Sequence, residues 1–549
     1  MARSLRSQPG VPAHSPTHAT RAAASSAAAR ARSGYEYKRR DAEHTTLYQV
    51  VQGHLETFYR AVEDGFASAP LPRFVKQEFE RFLDCGVLCR GAALLCCEAC
   101  ETRTVIALRC KGRGFCPSCL GRRMEQTVAN LVEHVIPEDA ALRQWVLTFP
   151  FELRGRLGFD GELLSELCGV VNEVLLGFYE RNLRSESQRR LAALAAAADS
   201  EGGPCKLQGG TVTVVQRTSG DLRLNPHLHV VALDGVFAAR PAGAPEFVQA
   251  PTLSSLDVSE VLATIRARVL SRLISRGVID TGEEPTLLES EANAREPALT
   301  QLSLAAASGL VPAGPEFRQR ITLRAVPGQA TITGPLCVTD SGFSLHAATV
   351  VSRDNPRGKE ALLRYVLRPP LGRERLELLD NGLCRIRLKR AFGDGTVAID
   401  LDPISLLSRL AASVPAPGFN TVRYGGVLAS ASKMRSAVIP QLASDAEVGG
   451  AVQEAADGRA SGARRSRYRP FAELLKRAFD LDVRCENCNA RMHLKSLLMS
   501  GKSLERLLTA LGEPTEVRGR APPRGPPYFG SKVVRQKLFG LSPEPGLLD

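Results

Sequence analysis

No window of this 549-residue chain offers about 18 consecutive apolar residues, so a membrane-spanning helix is not expected. The N-terminus lacks the compact apolar run of a secretory signal. It also lacks acid: the first carboxylate is Glu36, in a stretch rich in Arg, Ala, Ser and Pro. Such a composition cannot bury a core, which predicts a disordered basic tail over residues 1–44. The tail resembles an organellar transit peptide in composition, but the basic character of the whole chain favours a tail that contacts a polyanion. Helical and strand patterns follow one another without a regular βαβ rhythm, which predicts an α+β fold with an antiparallel sheet.

The charge that is present is one-sided. Seventy-one Lys and Arg against 58 Asp and Glu leave a net +13, with a pI near 9.2. A surface of that sign attracts polyanions, and nucleic acid is the commonest. The length implies two to four domains. The fourteen cysteines cluster, eight of them between Cys85 and Cys119 and two more in "CENC", Cys485 and Cys488. Tight C-x-x-C pairs in a long chain point to zinc in a reducing compartment rather than to a disulfide scaffold. Together these features predict a cytoplasmic, nucleoid-associated protein.

Along the chain, "LYQVVQGHLETFYRAVEDGF" places Leu47, Val50, Val51, Leu55 and Phe58 on one helical face. After the cysteines comes a short helix stopped by Pro137, then the strand "QWVLTFPF" (144–151). "GTVTVVQRT" (210–218) and "PHLHVVALDGVF" form a hairpin around "SGDLRLN". "SGFSLHAATVV" (341–351) is a further strand, and "GKEALLRYVLRPP" (358–370) a helix ended by its prolines.

The third of these strands holds the chemistry. Residues i and i+2 of a strand share a face, so His227 and His229 present two imidazoles side by side, as a divalent metal would need, while Leu228, Val230 and Ala232 face the core. Mg²⁺ or Mn²⁺ with open coordination positions can polarise a phosphodiester. Tyr365, between Arg364 and Arg368, is a candidate nucleophile able to form a phosphotyrosine. The plainer readings are that the histidines are exposed residues of an ordinary strand and that the tyrosine packs its helix. "GDGTVAIDLDP" carries Asp394, Asp400 and Asp402, which read as turn acids of a β-hairpin.

Taken in order, "CKGRGFCPSCLGRRM", "QWVLTFPF", "VVQRTSGDLRLNPHLHVVALDGVF", "GFSLHAATV", "RYVLRPPLGRERL", "RIRLKRAFGDGTVAIDLDPISLLSRLAASVPAP", "VRYGGVLASASKMR" and "YRPFAELLKRAFDLDVRCENCNARM" resemble the HUH rolling-circle transposases of the insertion-sequence 91 and common-region type. The resemblance implies N-terminal helices with a zinc ribbon, then an HUH-nuclease domain with a central antiparallel sheet flanked by helices. It implies a DNA transposase that nicks and rejoins one strand through a 5′-phosphotyrosine. His227 and His229 match the metal pair and Tyr365 the catalytic tyrosine. Gln216 is the first candidate for a third Mg²⁺ or Mn²⁺ ligand, His346 the second. Many relatives carry another tyrosine four residues earlier, where this chain has Ala361. Gly425 and Asn420 stand where relatives usually have His.

The cysteine block resembles the family's zinc-binding domain. Cys97-x-x-Cys100 and Cys116-x-x-Cys119, with fifteen residues between them, have the spacing of a four-cysteine ribbon. Cys85 and Cys110 match family positions and are candidates for a second zinc; Cys89 and Cys96 read as spare thiols. Lys111, Arg113, Arg122 and Arg123 around the ribbon, with Arg364 and Arg368, are the expected DNA contacts. Cys485 and Cys488 form half a site, with His493 a possible third ligand. The expected organisation is a tail (1–44), a helical and zinc-binding domain (45–140), a catalytic domain (141–440) with an insertion at about 238–335, a linker (441–467) and a small C-terminal domain (468–549). Partners are single-stranded DNA ends and target, and no membrane. The alternatives are an inactive zinc-dependent DNA-binding relative, or an HUH replication initiator or relaxase. Relaxases tend to have a third histidine before the pair and an N-terminal tyrosine, and neither is here.

Overall fold

The computed structural model describes residues 41–65, 70–184, 206–239, 244–280, 296–308, 331–389, 391, 395–440, 485, 487–488, 490, 492–499, 501–517 and 519–525. Most of the expected tail and all of the expected linker, with Asp394, lie outside the described residues. The chain divides into two compact units. The larger is made of Ala42–Cys85, Arg109–Ser466 and Val517–Asp549, the smaller of Met1–Asp41, Gly86–Leu108 and Arg467–Glu516. No described helix is long and apolar enough to cross a membrane.

The larger unit is built on a seven-stranded antiparallel sheet. Its order is Val422–Gly426, Gly210–Thr218, Leu224–Leu233, Leu142–Thr148, Phe343–Val351, Cys337–Asp340 and Thr331–Gly334. The fold is therefore α+β, with the histidine strand Leu224–Leu233 third in the sheet. Helices cover both faces, which is why that strand is apolar on both sides beyond the histidines. On one face Trp145, Leu147, Leu228 and Val230 pack under the helices Phe151–Phe159, Gly161–Asn182 and Ser255–Ser275. On the other, Val212, Val214, Val231 and Leu233 meet Val128 and Leu131 of the helix Pro117–His134 and Leu362, Leu363 and Val366 of the helix Pro356–Leu367. The sequence-based strand 144–151 runs instead over Leu142–Thr148, because Pro150 starts the helix Phe151–Phe159. The helix Ser255–Ser275 buries Val258, Leu262, Ile265, Val269 and Leu273 in the sheet's core, so this part of the expected insertion is a layer of the fold and not an appendage.

Local chemistry sets the helix ends. Asp160 accepts from the amide of Leu163, and Ser254 and Asp257 form a capping box. Asn355 accepts from the amide of Gly358 at 2.8 Å, with Pro356 next in the chain, and so starts the tyrosine helix; Pro369 and Pro370 stand beyond its end. Asp402 caps the helix Pro403–Ser413 in the same way, through Ile404. Asp400 pairs with Arg385 across the ladder at 2.7 Å. Neither acid is a turn residue.

A buried polar cluster locks the sheet's register. Arg143 donates to both carboxylate oxygens of Asp234, at 2.7 and 3.0 Å, and to the carbonyl of Ala347 at 2.9 Å. Tyr179 Oη donates to Asp234 at 3.1 Å and accepts from Trp145 Nε1 at 3.2 Å. The ion pair is almost wholly enclosed, so removing one partner leaves an uncompensated charge. Asp234→Ala should destabilise this unit by about 3–5 kcal/mol, read as a shift in the urea midpoint. A change below about 1 kcal/mol would show that Arg143 finds other partners.

The smaller unit holds a three-stranded antiparallel sheet in the order Met492–Leu498, Ala92–Cys97, Arg103–Ala107. The helix Lys502–Leu511 buries Leu504 and Leu508 against Leu88 and Ala92.

Candidate nuclease site and metal centres

The strand repeat of two puts Asn225, His227 and His229 on one face, the face covered by the tyrosine helix. Antiparallel register sets their neighbours. Gln216 lies opposite His227 on one side and Thr148 on the other. Val214 and Val146 flank His229, and His346 lies opposite Val146, one strand further away. The two imidazole centroids are 5.0 Å apart.

Each ring is held from behind. His227 Nδ1–H donates to the carbonyl of Asn225 at 2.6 Å. That bond leaves the Nε2 lone pair available. His229 Nδ1 lies 2.7 Å from the Gln144 amide, while its Nε2 is buried without a hydrogen-bond partner. Burial pushes the His229 pKa down to about 3, helped by the charges of His227 and Arg368. Burial also lowers His227, with Arg154 and Arg368 adding to the effect against the Asn225 hydrogen bond. Both rings are therefore neutral at pH 7, the form that binds a metal.

Tyr365 sits in the last turn of its helix, 45% exposed, with its ring centroid 6.0 Å from that of His229. The guanidinium of Arg368, at the helix C-cap, lies 4.4 Å from the tyrosine ring centroid. Gln216 Nε2 donates to the carbonyl of Val366 at 2.6 Å, tying the histidine hairpin to the tyrosine helix. These groups line a cavity of about 620 Å³. Arg113, Arg123, Arg217, Arg368, Arg375 and Lys389 also line it, and among the described residues no carboxylate does. Arg217 is committed to the backbone carbonyls of Ser413, Gly158 and Ala412. Lys389 is held below the usual lysine range by burial and then by the charges of Arg368 and Arg375. A positive wall of this kind suits phosphate.

The expected DNA contacts do not all share this wall. Arg113 and Arg123 do, although Arg113 also donates to the carbonyl of Phe419 and Arg123 to that of Lys111. Lys111 and Arg122 lie outside the cavity lining. Arg364 is engaged by Glu125 and Glu360, both at 2.9 Å, so its charge is locally neutralised. Gln144, Arg375 and Lys389 were not singled out from sequence. Gln144 had one signal, a polar side chain on the same strand face as Val146 and Thr148.

The donor set fits a divalent ion. Two neutral imidazoles share a face, and one carries a buried nitrogen with no partner, a costly arrangement for a group that binds nothing. Gln216, its amide nitrogen anchored on Val366, has its amide oxygen left as a third donor. The altered family positions lie elsewhere. Gly425 is opposite Thr211, on the sheet face away from the histidines, and a Cβ there would meet Thr211 Oγ1 at 2.4 Å. Asn420 is exposed, and its carbonyl accepts from Arg423.

The cysteines group differently from the fifteen-residue spacing. Cys116 and Cys119 join Cys85 and Cys110, with all four sulfurs within 4.8 Å of one another. Cys85 lies 3.7 Å from both Cys116 and Cys119, and Cys110 lies 3.3 Å from Cys119. Cys97 and Cys100 are not part of this set, so the expected ribbon of Cys97, Cys100, Cys116 and Cys119 is corrected. Cys97 and Cys100 lie in the smaller unit and Cys116 and Cys119 in the larger, with the strand Arg103–Ala107 between the two knuckles in the chain. Cys89 and Cys96 stand outside both sets.

Residues 53–149 match the family described as "Transposase zinc-binding domain", of the insertion-sequence 91 type, and residues 210–436 match the family described as "Putative transposase". No curated protein and no solved structure matches the chain. The cysteine clusters and the zinc-binding domain support structural zinc.

Proposed function

The chain has the two-domain architecture of the insertion-sequence 91 transposase family, whose members act on DNA, and from that premise we propose that it nicks and rejoins one DNA strand through Tyr365. The observation that carries this reading is the tyrosine itself. It is exposed in a basic cavity lined by Arg113, Arg123, Arg368, Arg375 and Lys389, 6.0 Å ring to ring from a histidine whose Nε2 is buried and unpartnered. A phosphodiester is the anion that such a wall and such a nucleophile would share.

His227 and His229 through Nε2, and Gln216 through its amide oxygen, are the side chains that would hold Mg²⁺ or Mn²⁺. The ion would supply Lewis-acid stabilisation of the charge on the phosphate. Asn225 keeps His227 in the tautomer whose Nε2 is free, and the Gln144 side chain fixes the ring position of His229. Arg368 and Lys389 attract and orient the strand. Tyr365 Oη attacks phosphorus and gives up its proton, and the bond from phosphorus to the 3′ oxygen breaks. The 3′ oxygen takes up a proton, and the 5′ phosphate stays on Tyr365. Attack by a 3′-hydroxyl on the phosphotyrosine reverses the bookkeeping and joins strands without ATP, because the phosphoester energy is kept. With Ala361 one turn before Tyr365, a single covalent link forms at a time.

The test is covalent capture. Incubated with Mn²⁺ and a single-stranded oligonucleotide carrying an element end, the protein should form a denaturant-resistant adduct. The released fragment should carry a 3′-hydroxyl that a polymerase extends. Cleavage that leaves a 3′-phosphate and no adduct would refute the reading. The inactive DNA-binding alternative predicts neither product. The packing of Gly425 away from the histidines speaks against that alternative.

A further inference from the structure

We propose that Cys97, Cys100, Cys485 and Cys488 form a second zinc site, a ribbon whose two knuckles come from distant parts of the chain, and that this site clasps the C-terminal strand to the N-terminal hairpin. The transposase zinc-binding match ends at residue 149 and does not include Cys485 or Cys488. The inference is independent of the nicking reading.

The four sulfurs lie within 4.8 Å of one another. Cys97 is 3.4 Å from Cys488, and Cys100 is 3.2 Å from Cys485 and 3.5 Å from Cys488. A tetrahedral ion with bonds of about 2.3 Å sets sulfurs about 3.8 Å apart, whereas a disulfide requires about 2.05 Å. The contacts suit the former. Backbone turns aim each pair. Cys97 N donates to the carbonyl of Thr102 and Glu101 N to that of Cys97, both at 2.8 Å, while Cys485 N donates to the carbonyl of Ala490 at 2.8 Å. The strand register then brings the turns together. Met492 lies opposite Cys97 in the antiparallel pair, so the turn leading into one strand emerges beside the turn leaving the other.

Packing offers no other reason for the convergence. Cys100 and Cys488 are exposed, whereas a cysteine used as a small hydrophobe is buried. Among the described residues of this unit, the buried apolar groups are Leu95 and Met492 around Cys97 and Cys485, and Leu88, Ala92, Leu504 and Leu508 at the other end. His493 is not a ligand: it lies opposite Cys96 and faces Glu98 at 3.9 Å. The two cysteine sets also differ in exposure. Cys85, Cys116 and Cys119 are buried and Cys110 half-buried, so the split site should lose its ion first.

Zinc content of the full-length protein tests this. The wild-type chain should carry about two ions. Cys485→Ser with Cys488→Ser should carry about one, and Cys488→His, which keeps a ligand, should retain two. Chelator should release zinc from the wild type in two phases, with the fast one absent from the double variant. About one ion in the wild type, or an unchanged content in the double variant, overturns the proposal. If the double variant does not fold, the wild type decides alone: release in a single phase amounting to one ion also overturns it. Zinc content does not depend on nicking, so either result leaves the proposed function to its own test.

Discussion

Tyr365→Phe should abolish the covalent DNA adduct, cutting cleavage by roughly 10³-fold or more, the scale of removing a nucleophile that works as part of a unit. The substitution deletes one oxygen. The ring that packs beside His229 and under Arg368 is kept, and at 45% exposure the hydroxyl supports no core. Stability and oligonucleotide binding should therefore stay near wild type, which separates loss of chemistry from loss of fold. Gel separation under denaturing conditions reads the adduct, and fluorescence anisotropy reads the binding. An adduct of unchanged yield would move the nucleophile elsewhere. Tyr424 would be the next to test, because it too is partly exposed, with Arg435 against its ring.

What could be read from sequence follows the range of the rule that reads it. The α+β fold and the hairpin of 210–218 with the histidine strand rest on local alternation and a short turn, and the sheet has that pairing. The sharing of one face by His227 and His229 needs only the strand repeat. The helix under Tyr365 was legible from its apolar face and its closing prolines. The cysteine grouping was not. Both C-x-x-C knuckles looked like neighbours because spacing is counted along the chain, whereas the partner of Cys97 and Cys100 is set by a ladder to residues 492–498. The basic wall was half legible. Arg113, Arg123, Arg368, Arg375 and Lys389 all lie in quoted motifs, but nothing local reports that Arg375 and Lys389, beside the three-stranded ladder of residues 376–401, reach the same cavity. Arg364 shows the converse failure. Its sequence neighbours suggested phosphate contact, while the helix Pro117–His134 supplies Glu125 to neutralise it.

His227→Ala with His229→Ala should reduce nicking by on the order of 10²- to 10³-fold while leaving DNA affinity within a few-fold. The asymmetry follows from where each energy arises. Affinity for a strand comes from many Lys and Arg contacts with phosphates and falls as salt releases counterions. The residues placed to make those contacts, Arg113, Arg123, Arg368, Arg375 and Lys389, are untouched by the substitutions. The histidines act at one phosphate only. There the ion they would hold stabilises charge that grows toward the transition state, worth several kcal/mol, with about 1.4 kcal/mol per tenfold in rate. Removing two imidazoles should also end the dependence of cleavage on added Mg²⁺ or Mn²⁺. Neither ring is ionised at pH 7 or engaged in an ion pair, so truncation breaks no salt bridge. The double variant, followed by single-turnover cleavage against Mn²⁺ concentration and by anisotropy against salt, gives both readouts on one preparation. Wild-type cleavage with the metal dependence retained would leave His227 and His229 as the polar edge of a strand and place the ion on other ligands.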